Sequence, residues 1–217
     1  MKTLEVTYAQ DLSHSSTFEE VEDYMESLEW KSLGEAPWKE SFPDHPQVTF
    51  KIGNTNNSIL LKFYVQEKHI QGKYRQTNDP VHLDSCVEFF LSFDGLNYYN
   101  LEFNCMGTAH VGYGQAKHLG PRKTLEKGMV ESIKTKCIIN PRDRSPMASS
   151  WELLLNIPKA VFCFDKLAQW QNKTYRGNFY KCGDDLPEPH FLTWNKIEHP
   201  TPNFHLPEYF GKINFGS

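Results

Sequence analysis

Two neighbouring segments between Asn78 and Asn104 alternate apolar and polar residues, and this alternation constrains the fold more than any other feature of the sequence. A turn sequence, Asp94-Gly95-Leu96-Asn97, separates the two segments. Because successive side chains of a β-strand point to opposite faces, the segments are predicted to be two paired strands. Their apolar face is formed by Val87, Phe89, Leu91, Phe93, Tyr99, Leu101, Phe103 and Cys105. Their other face carries acids, amides and aromatic rings: Asp84, Cys86, Glu88, Phe90, Ser92, Tyr98, Asn100, Glu102 and Asn104.

The rest of the chain also has mostly strand character. Further strands are predicted at 4–8 (an edge strand), 48–52, 59–65, 130–139, 150–157, 175–182, 190–196 and 211–215. Thr17 and Glu20 have the spacing of a capping box, which predicts a helix over 17–28. A second short helix is predicted near 159–169. Trp151 lies in an apolar strand and is assigned to the core.

The chain is predicted to be an all-β protein, an antiparallel β-sandwich of immunoglobulin or jelly-roll type with one or two short peripheral helices. Thirteen glycines and thirteen prolines are scattered along the 217 residues, which is typical of many strands joined by turns. The sequence has neither an internal repeat nor a long linker. Residues 1–217 are therefore predicted to form one domain, with 1–30 as a peripheral strand and helix.

Charge and hydropathy exclude several classes of partner. The formal net charge is −4 and no basic cluster is present, so nucleic-acid binding is not expected. No apolar run approaches the length of a membrane span. Residues 1–20 lack the apolar stretch of a signal peptide.

The five cysteines are predicted to be buried free thiols rather than a disulfide framework. Their number is odd, they form no CxxC pair, and they lie within apolar strand patterns. Alternation places Cys86 and Cys105 on opposite faces of neighbouring strands, which argues against a bridge between them.

The polar face has the residue types that sugar recognition requires. A sugar needs a flat apolar surface for its C–H face and directional hydrogen bonds for its hydroxyl groups. The candidate hydrogen-bonding residues are Glu88, Asn100, Glu102 and Asn104, and Trp194 and Phe204 are candidate ring contacts. From the residues alone, the favoured interpretation of any one of these polar positions is a solvated sheet face, as antiparallel sheets commonly have.

Parts of the sequence also fit two other functions. A carboxylate pair among Asp84, Glu88 and Glu102 would suit a glycoside hydrolase. A haem or electron-transfer sandwich would need an axial ligand such as Met106 or His110. The sequence contains no GxSxG, HExxH or phosphate-loop motif. Its histidines have no metal-ligand spacing, so no catalytic residue or metal ligand is assigned, and His190, His199 and His205 are expected to be surface or hydrogen-bonding residues.

Several segments together resemble the family 9 carbohydrate-binding modules. They are DPVHLDSCVEFFLSF with YYNLEFN, then WELLLNIP, RGNFYKCGDD, LTWNK and PNFHLPEYFGKINF. The similarity extends from about residue 30 to the end and is greatest to single-domain relatives of the family. It implies a β-sandwich that binds a sugar without chemistry, between two aromatic platforms with polar residues beneath.

The resemblance implies roles for individual residues. Glu88 matches the motif glutamate that hydrogen-bonds sugar hydroxyls, and Phe204 falls where a tryptophan platform is usual. The other platform position falls near Val81, so that His82 or Tyr74 would replace the ring and His82 would form a lip of the site. Glu102 stands where the family has an arginine contact.

The resemblance also implies a ligand and a setting. The ligand would be a mono- or oligosaccharide, bound in support of polysaccharide breakdown. No cofactor is required, although a structural calcium ion held by loop oxygens is allowed. The family suggests a periplasmic or secreted protein, whereas free thiols and the lack of a leader favour the cell interior. The oligomeric state is not indicated.

Overall fold

The computed structural model describes residues 1–140, 149–166 and 169–216. In chain order, its strands are β1 (Thr3–Tyr8), β2 (Lys31–Ser32), β3 (Gln47–Asn54), β4 (Ser58–Glu67), β5 (Cys86–Ser92), β6 (Tyr98–Asn104), β7 (Ala109–Gly114), β8 (Lys123–Thr124), β9 (Lys134–Asn140), β10 (Ser149–Pro158), β11 (Lys173–Cys182), β12 (Phe191–Thr193) and β13 (Gly211–Phe215). The helices are α1 (Phe18–Glu26) and α2 (Lys127–Val130), with 3-10 turns at Val81–Leu83, Lys117–Leu119, Lys159–Val161 and Pro207–Tyr209. No helix in these ranges is both long and apolar enough to cross a membrane.

The strands form two sheets that are continuous through β1. Sheet A has the order β8-β7-β6-β5-β11-β13-β1, with β12 also paired to β11. Sheet B has the order β1-β3-β4-β10-β9, with β2 also paired to β3. The predicted all-β sandwich is confirmed. Among the described strands, every pairing is antiparallel except the two that β1 makes.

Strand β1 lies in the middle of the fold, although the sequence predicts an edge strand there. Its first part pairs in parallel with β13, and Thr7 and Tyr8 then pair in parallel with β3. Leu4 and Val6 are buried as a result. A parallel partner near the other end of the chain leaves no local signal, since parallel strands are not joined by a tight turn.

Of the two predicted helices, the structure contains the first and only a 3-10 turn in place of the second. Helix α1 is confirmed with its capping box, in which the Glu20 amide donates to Thr17 Oγ1 at 3.3 Å and the Thr17 amide donates to Glu20 Oε2 at 2.8 Å. Near 159–169, the structure has only the 3-10 turn Lys159–Val161, and 167–168 lie outside the described residues. The strand predicted at 190–196 is limited to β12.

The apolar faces of the two sheets pack against each other as alternation predicts. Phe50 of β3 stacks on Phe179 of β11 with ring centroids 4.1 Å apart, and Phe89 of β5 stacks on Phe179 at 4.6 Å. Trp151 is fully buried in the same cluster. The opposite face of β5 and β6 is therefore free to form a separate surface on the outer side of sheet A.

The cysteine prediction is correct for three of the five residues. All five are free, and Cys86, Cys105 and Cys182 are buried. Cys137 and Cys163 are exposed, because Cys137 lies on β9 at the edge of sheet B and Cys163 follows the 3-10 turn Lys159–Val161. Cys86 and Cys105 belong to different apolar clusters, which confirms that they lie on opposite faces.

A buried ion pair joins the two sheets. Lys181 Nζ of β11 lies 2.8 Å from the Oε2 atom of Glu67 on β4, and both side chains are fully or almost fully buried. The indole of Trp151 donates to the other oxygen of Glu67 at 2.6 Å. Lys181 Nζ also lies 2.8 Å from His190 Nε2 and from the carbonyl oxygen of Cys182. Removing either charge would leave the other buried without its opposite charge.

We therefore expect Lys181→Met to lower the free energy of unfolding by about 3–5 kcal/mol, as measured by urea denaturation. Lys196→Met, which removes the cation of the exposed Lys196–Glu198 pair, is the matched control and should change stability little. In the double variant Lys181→Met/Glu67→Gln, the loss should be smaller than the sum of the two single losses, because neither charge is left alone. Additive losses would contradict this account of the pair.

Candidate functional site

A cavity of about 160 Å³ opens on the outer face of sheet A, and we call it the main cavity. Strands β5, β6 and β11 supply its floor with Glu88, Glu102 and Cys182. Its walls come from four connections, which contribute His82, Lys117, Asp184 and the segment 202–205, and from Phe191 of β12. A second cavity of about 260 Å³, the side cavity, shares His82, Glu102, Lys117 and His205 with it and extends over Asn100 and Arg122. The two form one concave surface.

Two buried glutamates form the floor of the main cavity. Glu88 and Glu102 stand directly opposite each other in the antiparallel pairing of β5 with β6, and they are 3% and 6% exposed. Burial and, secondly, the neighbouring carboxylate of Glu102 hold the pKa of Glu88 well above its ordinary value. Glu88 is therefore protonated at pH values where an exposed glutamate is ionised, and it can then donate a hydrogen bond.

Glu102 is oriented by a chain of hydrogen bonds that begins at an arginine. Arg122 donates from Nη2 to Asn100 Oδ1 at 2.6 Å, and Asn100 donates from Nδ2 to Glu102 Oε1 at 2.8 Å. Arg122 lies over the ring of Tyr98 at 3.9 Å and donates to its carbonyl oxygen at 2.9 Å. Gly112 faces Asn100 across the β6–β7 pairing, and a Cβ there would lie 2.6 Å from Asn100 Oδ1. These contacts fix the carboxylate of Glu102 within the floor.

Asp184 adds a third acid to the main cavity. Burial raises the pKa of its carboxyl, while the charge of His82 acts in the opposite direction. His82 also lies 3.9 Å from Glu102, measured from Nδ1 to Oε2. His82 and Lys117 are thus the cationic or hydrogen-bonding groups that face three carboxyl groups across the cavity.

Phe204 gives the main cavity an apolar wall that is supported from behind. Its ring stacks on Tyr180 with centroids 4.2 Å apart and planes 10° apart, and Tyr180 donates its hydroxyl to the carbonyl oxygen of Phe204 at 3.2 Å. Phe191 packs edge-on at 6.1 Å. The next residue, His205, lies 3.0 Å from the Tyr98 hydroxyl through Nδ1, and burial lowers the pKa of its ring to about 2. The 202–205 segment is therefore held against the sheet by both its side chains and its backbone.

The residues predicted from the sequence fall into two groups. His82, Glu88, Glu102 and Phe204 meet at the main cavity, and Asn100 lines the side cavity. Asn104 and Trp194 line neither cavity.

Asn104 and Trp194 have structural contacts instead. Asn104 donates from Nδ2 to Asp84 Oδ2 at 2.9 Å and accepts at Oδ1 from two amides of the turn before β7, so its side chain is used within the fold. Trp194 packs edge-on against Phe179 at 5.8 Å between the sheets. Its ring also covers Gly211, where a Cβ would lie 2.4 Å from the indole. Neither side chain therefore lines the main cavity or the side cavity.

The structure also shows where the other candidate residues for an aromatic platform, a catalytic acid or a haem ligand lie. Tyr74 lines neither cavity, so of the two suggested replacements for the first platform only His82 lies at the site. Asp84 is fully buried and accepts at Oδ2 from the Tyr74 amide at 2.9 Å, which leaves Asp184 as the third acid of the cavity. His110 lines the side cavity, whereas Met106 lines neither cavity.

The sequence reasoning missed Arg122, Lys117, Asp184 and Cys182. Three of them come from connections, and no periodic pattern assigns a connection to a face of a sheet. Cys182 follows from alternation along β11, since Tyr180 and Cys182 share the outer face. Alternation could have assigned Cys182 to the outer face, but placing it beside Glu88 also requires the pairing of β11 with β5.

Comparisons with known proteins agree with this architecture. The sequence profile of carbohydrate-binding family 9 matches residues 19–215. A crystal structure of a candidate carbohydrate-binding protein from Bacteroides uniformis is 33% identical, with 99% of each chain covered and a TM-score of 0.87. No curated protein matches the sequence.

Two other solved structures share the fold at low identity. A family 9 carbohydrate-binding module from Caldicellulosiruptor kristjanssonii, in complex with glucose, is 14% identical with a TM-score of 0.63, and 100% of this chain and 97% of that chain are covered. A structure of a family 9 module from the same organism, in complex with cellotriose, is 15% identical with a TM-score of 0.60, and the coverage is 99% and 94%.

The raised pKa of Glu88 predicts a pH dependence of stability. Because this pKa is higher in the folded than in the unfolded chain, the contribution of Glu88 to stability is complete below the unfolded pKa of about 4.3. It is lost as the pH rises toward the folded pKa. Glu88→Gln cannot ionise, so its melting temperature should rise relative to that of the wild type as the pH increases above about 4.3.

The same substitution at exposed Glu126 is the control for this measurement. Glu126→Gln should follow the wild-type melting curve at every pH. Parallel pH profiles for the wild type and Glu88→Gln would show that Glu88 titrates as an ordinary exposed glutamate.

Proposed function

The chain belongs to carbohydrate-binding family 9, and we propose that it binds a mono- or oligosaccharide in the main cavity without cleaving it. The observation that carries the proposal is the meeting of Glu88, Glu102 and Phe204 in one cavity. Carboxyl groups and an aromatic wall are the two components that sugar recognition requires. The main cavity combines them within the span of three neighbouring strands.

Each part of the cavity has a role in this proposal. The apolar wall of Phe204 would contact the C–H face of a sugar ring. Glu102, held in place by Asn100, would accept hydrogen bonds from hydroxyl groups, and protonated Glu88 would donate one. Lys117 and His82 would donate to hydroxyl oxygens from the side. Because the donors and acceptors are fixed before binding, little conformational entropy would be lost on association.

The concave shape supports a short ligand rather than a flat crystalline one. The main and side cavities continue into each other through His82 and Glu102. A terminal sugar unit would occupy the main cavity, and a second unit would extend over the side cavity. The family 9 modules of similar fold that were solved with glucose and cellotriose support ligands of this size.

The arrangement of acids favours binding over hydrolysis. A glycosidase places its two carboxyl groups on either side of the scissile bond. Glu88 and Glu102 are opposite each other on adjacent strands of one sheet, so both approach a ligand from the floor. We therefore propose a non-catalytic role in support of polysaccharide breakdown, in which the protein holds a saccharide for enzymes that act on it.

Removing the carboxyl group of Glu88 should abolish most of the affinity for sugar. We expect Glu88→Ala to weaken binding of glucose or cellotriose at least about tenfold in calorimetry, which corresponds to ~1.4 kcal/mol. A truncated hydrogen-bonding partner leaves a hydroxyl group of the ligand unpaired, and this accounts for the loss.

Glu5→Ala is the control for Glu88→Ala, because Glu5 is exposed and lines neither cavity. Unchanged affinity in Glu88→Ala would remove Glu88 from the site. A hydrolysis assay on the same sugars separates the two functions, since release of reducing ends that Glu102→Gln abolishes would show a glycosidase.

The aromatic wall should contribute through its ring rather than its volume alone. Phe204→Leu should weaken binding about 2- to 12-fold, from ~0.5–1.5 kcal/mol of ring contact, while Phe204→Tyr should retain the wild-type affinity. Phe164→Leu, at an exposed phenylalanine outside both cavities, is the matched control. Equal affinities for Phe204→Leu and the wild type would show that the ring does not contact the sugar.

A further inference from the structure

Two thiols and a carboxyl group meet beneath the main cavity. Cys86 of β5 and Cys182 of β11 are direct partners in the antiparallel pairing of these strands. Glu88 lies two residues further along β5 and therefore on the same face as Cys86. The two Sγ atoms and one carboxylate oxygen of Glu88 all lie within 4.8 Å of one another. Cys182 Sγ donates to Glu88 Oε1 at 3.3 Å.

This donor set suits a thiophilic divalent cation. Zinc binds cysteine sulfur at about 2.3 Å and carboxylate oxygen at about 2.0–2.2 Å, in tetrahedral geometry. The ligand atoms of such a site are then roughly 3.3–3.8 Å apart. Cys182 Sγ and Glu88 Oε1, which are 3.3 Å apart, already have that spacing, and the three donor atoms lie within 4.8 Å of one another.

The surroundings of the three donors favour a cation. Glu102 and Asp184 line the same cavity as Glu88 and Cys182, so three carboxyl groups and one thiol surround its floor. Among the residues that the structure describes, no lysine, arginine or histidine nitrogen lies within 4.0 Å of the carboxylate of Glu88 or of Asp184. The carboxyl groups of Glu88 and Asp184 therefore have no direct ion-pair partner within the described residues, whereas Glu102 has His82 at 3.9 Å.

The cavity also provides an entry path. Cys182 and Glu88 both line the main cavity, while Cys86 lies beneath them and is fully buried. An ion could therefore reach the three donors from the cavity side. Its fourth coordination position would face the cavity, within reach of Asp184, a water molecule or a ligand hydroxyl group.

We propose that Cys86, Cys182 and Glu88 form a binding site for Zn²⁺ or another thiophilic divalent cation at the floor of the main cavity. On binding, the protons of both thiols and of Glu88 pass to solvent, and the two thiolates and the carboxylate coordinate the ion. The site is independent of the proposed saccharide binding, although the two share Glu88. Cys86 and Glu88 are two residues apart in the sequence, and Cys182 follows Glu88 by 94 residues. This spacing matches no metal-binding motif, so the sequence alone does not indicate the site.

Cobalt absorbance tests the site without any sugar. The full chain carrying Cys137→Ser and Cys163→Ser keeps the three buried thiols and removes the two exposed ones. After reduction, it should bind one equivalent of Co²⁺ with the sulfur-to-metal charge-transfer absorbance of thiolate coordination, and Zn²⁺ should displace the cobalt. In this background, Cys86→Ser and Cys182→Ser should each weaken Co²⁺ binding at least tenfold, and Glu88→Gln should weaken it while retaining the charge-transfer absorbance.

Alkylation of the wild-type chain provides a second measurement that needs no variant to fold. Zn²⁺ should protect Cys182, but not exposed Cys137 or Cys163, from alkylation mapped by mass spectrometry. Absence of charge-transfer absorbance in the background variant would overturn the proposal. Charge-transfer absorbance that persists when Cys86→Ser and Cys182→Ser are combined would also overturn it. A Cys86–Cys182 disulfide that remains after treatment with a reductant would do the same. None of these results would bear on the calorimetric test of saccharide binding.

Discussion

Alternation along β11 couples the core of this protein to its cavity. Phe179 and Lys181 point between the sheets, where Phe179 stacks on two neighbouring rings and Lys181 pairs with Glu67 of the opposite sheet. Tyr180 and Cys182 point outward, where Tyr180 supports Phe204 and Cys182 lies in the cavity floor. Each inward contact therefore fixes the position of an outward neighbour. A buried ion pair between sheets is sensitive to geometry, because a shift of either strand would leave a charge without its partner. The ion pair thus holds the strand that supplies Cys182 to the cavity floor and Tyr180 to the support of Phe204.

The sequence was sufficient for the parts of the fold that depend on local periodicity. Alternation assigned both faces of β5 and β6 correctly, and it placed Glu88 and Glu102 on the face that forms the cavity. The capping box placed helix α1. The parallel pairing of β1 was not predictable in this way, because its partners β13 and β3 come from distant positions. Local patterns carry information about which face a residue takes, but not about which strand lies beside it.

In the candidate site, too, local sequence patterns indicate which face a side chain takes but not which groups it contacts. Asn104 shares a face with Glu102, yet its amide is taken up by the turn that follows β6 and by Asp84. Trp194 was assigned to the site as an aromatic residue in a late strand, but it packs between the sheets. Arg122 was missed although it orients Glu102 through Asn100, because the 3-10 turn and the short strand that place it have no periodic signal. The resemblance to a family located His82 and Phe204, which periodicity could not do.

The two glutamates of the floor are retained against a physical cost. Like charges directly opposite each other on adjacent strands are destabilising, and burial increases the penalty for an ionised carboxyl group. The fold offsets only part of this cost, through protonation of Glu88 and through the hydrogen bond that Asn100 donates to Glu102. In the sandwich core, the comparable charge of Glu67 has a lysine and an indole as partners. The two sites differ in solvent access, because Glu67 lies in the closed core, whereas Glu88 and Glu102 lie in a floor that opens to a cavity. A sugar hydroxyl or a metal ion could therefore supply to Glu88 and Glu102 the partner that Lys181 supplies to Glu67.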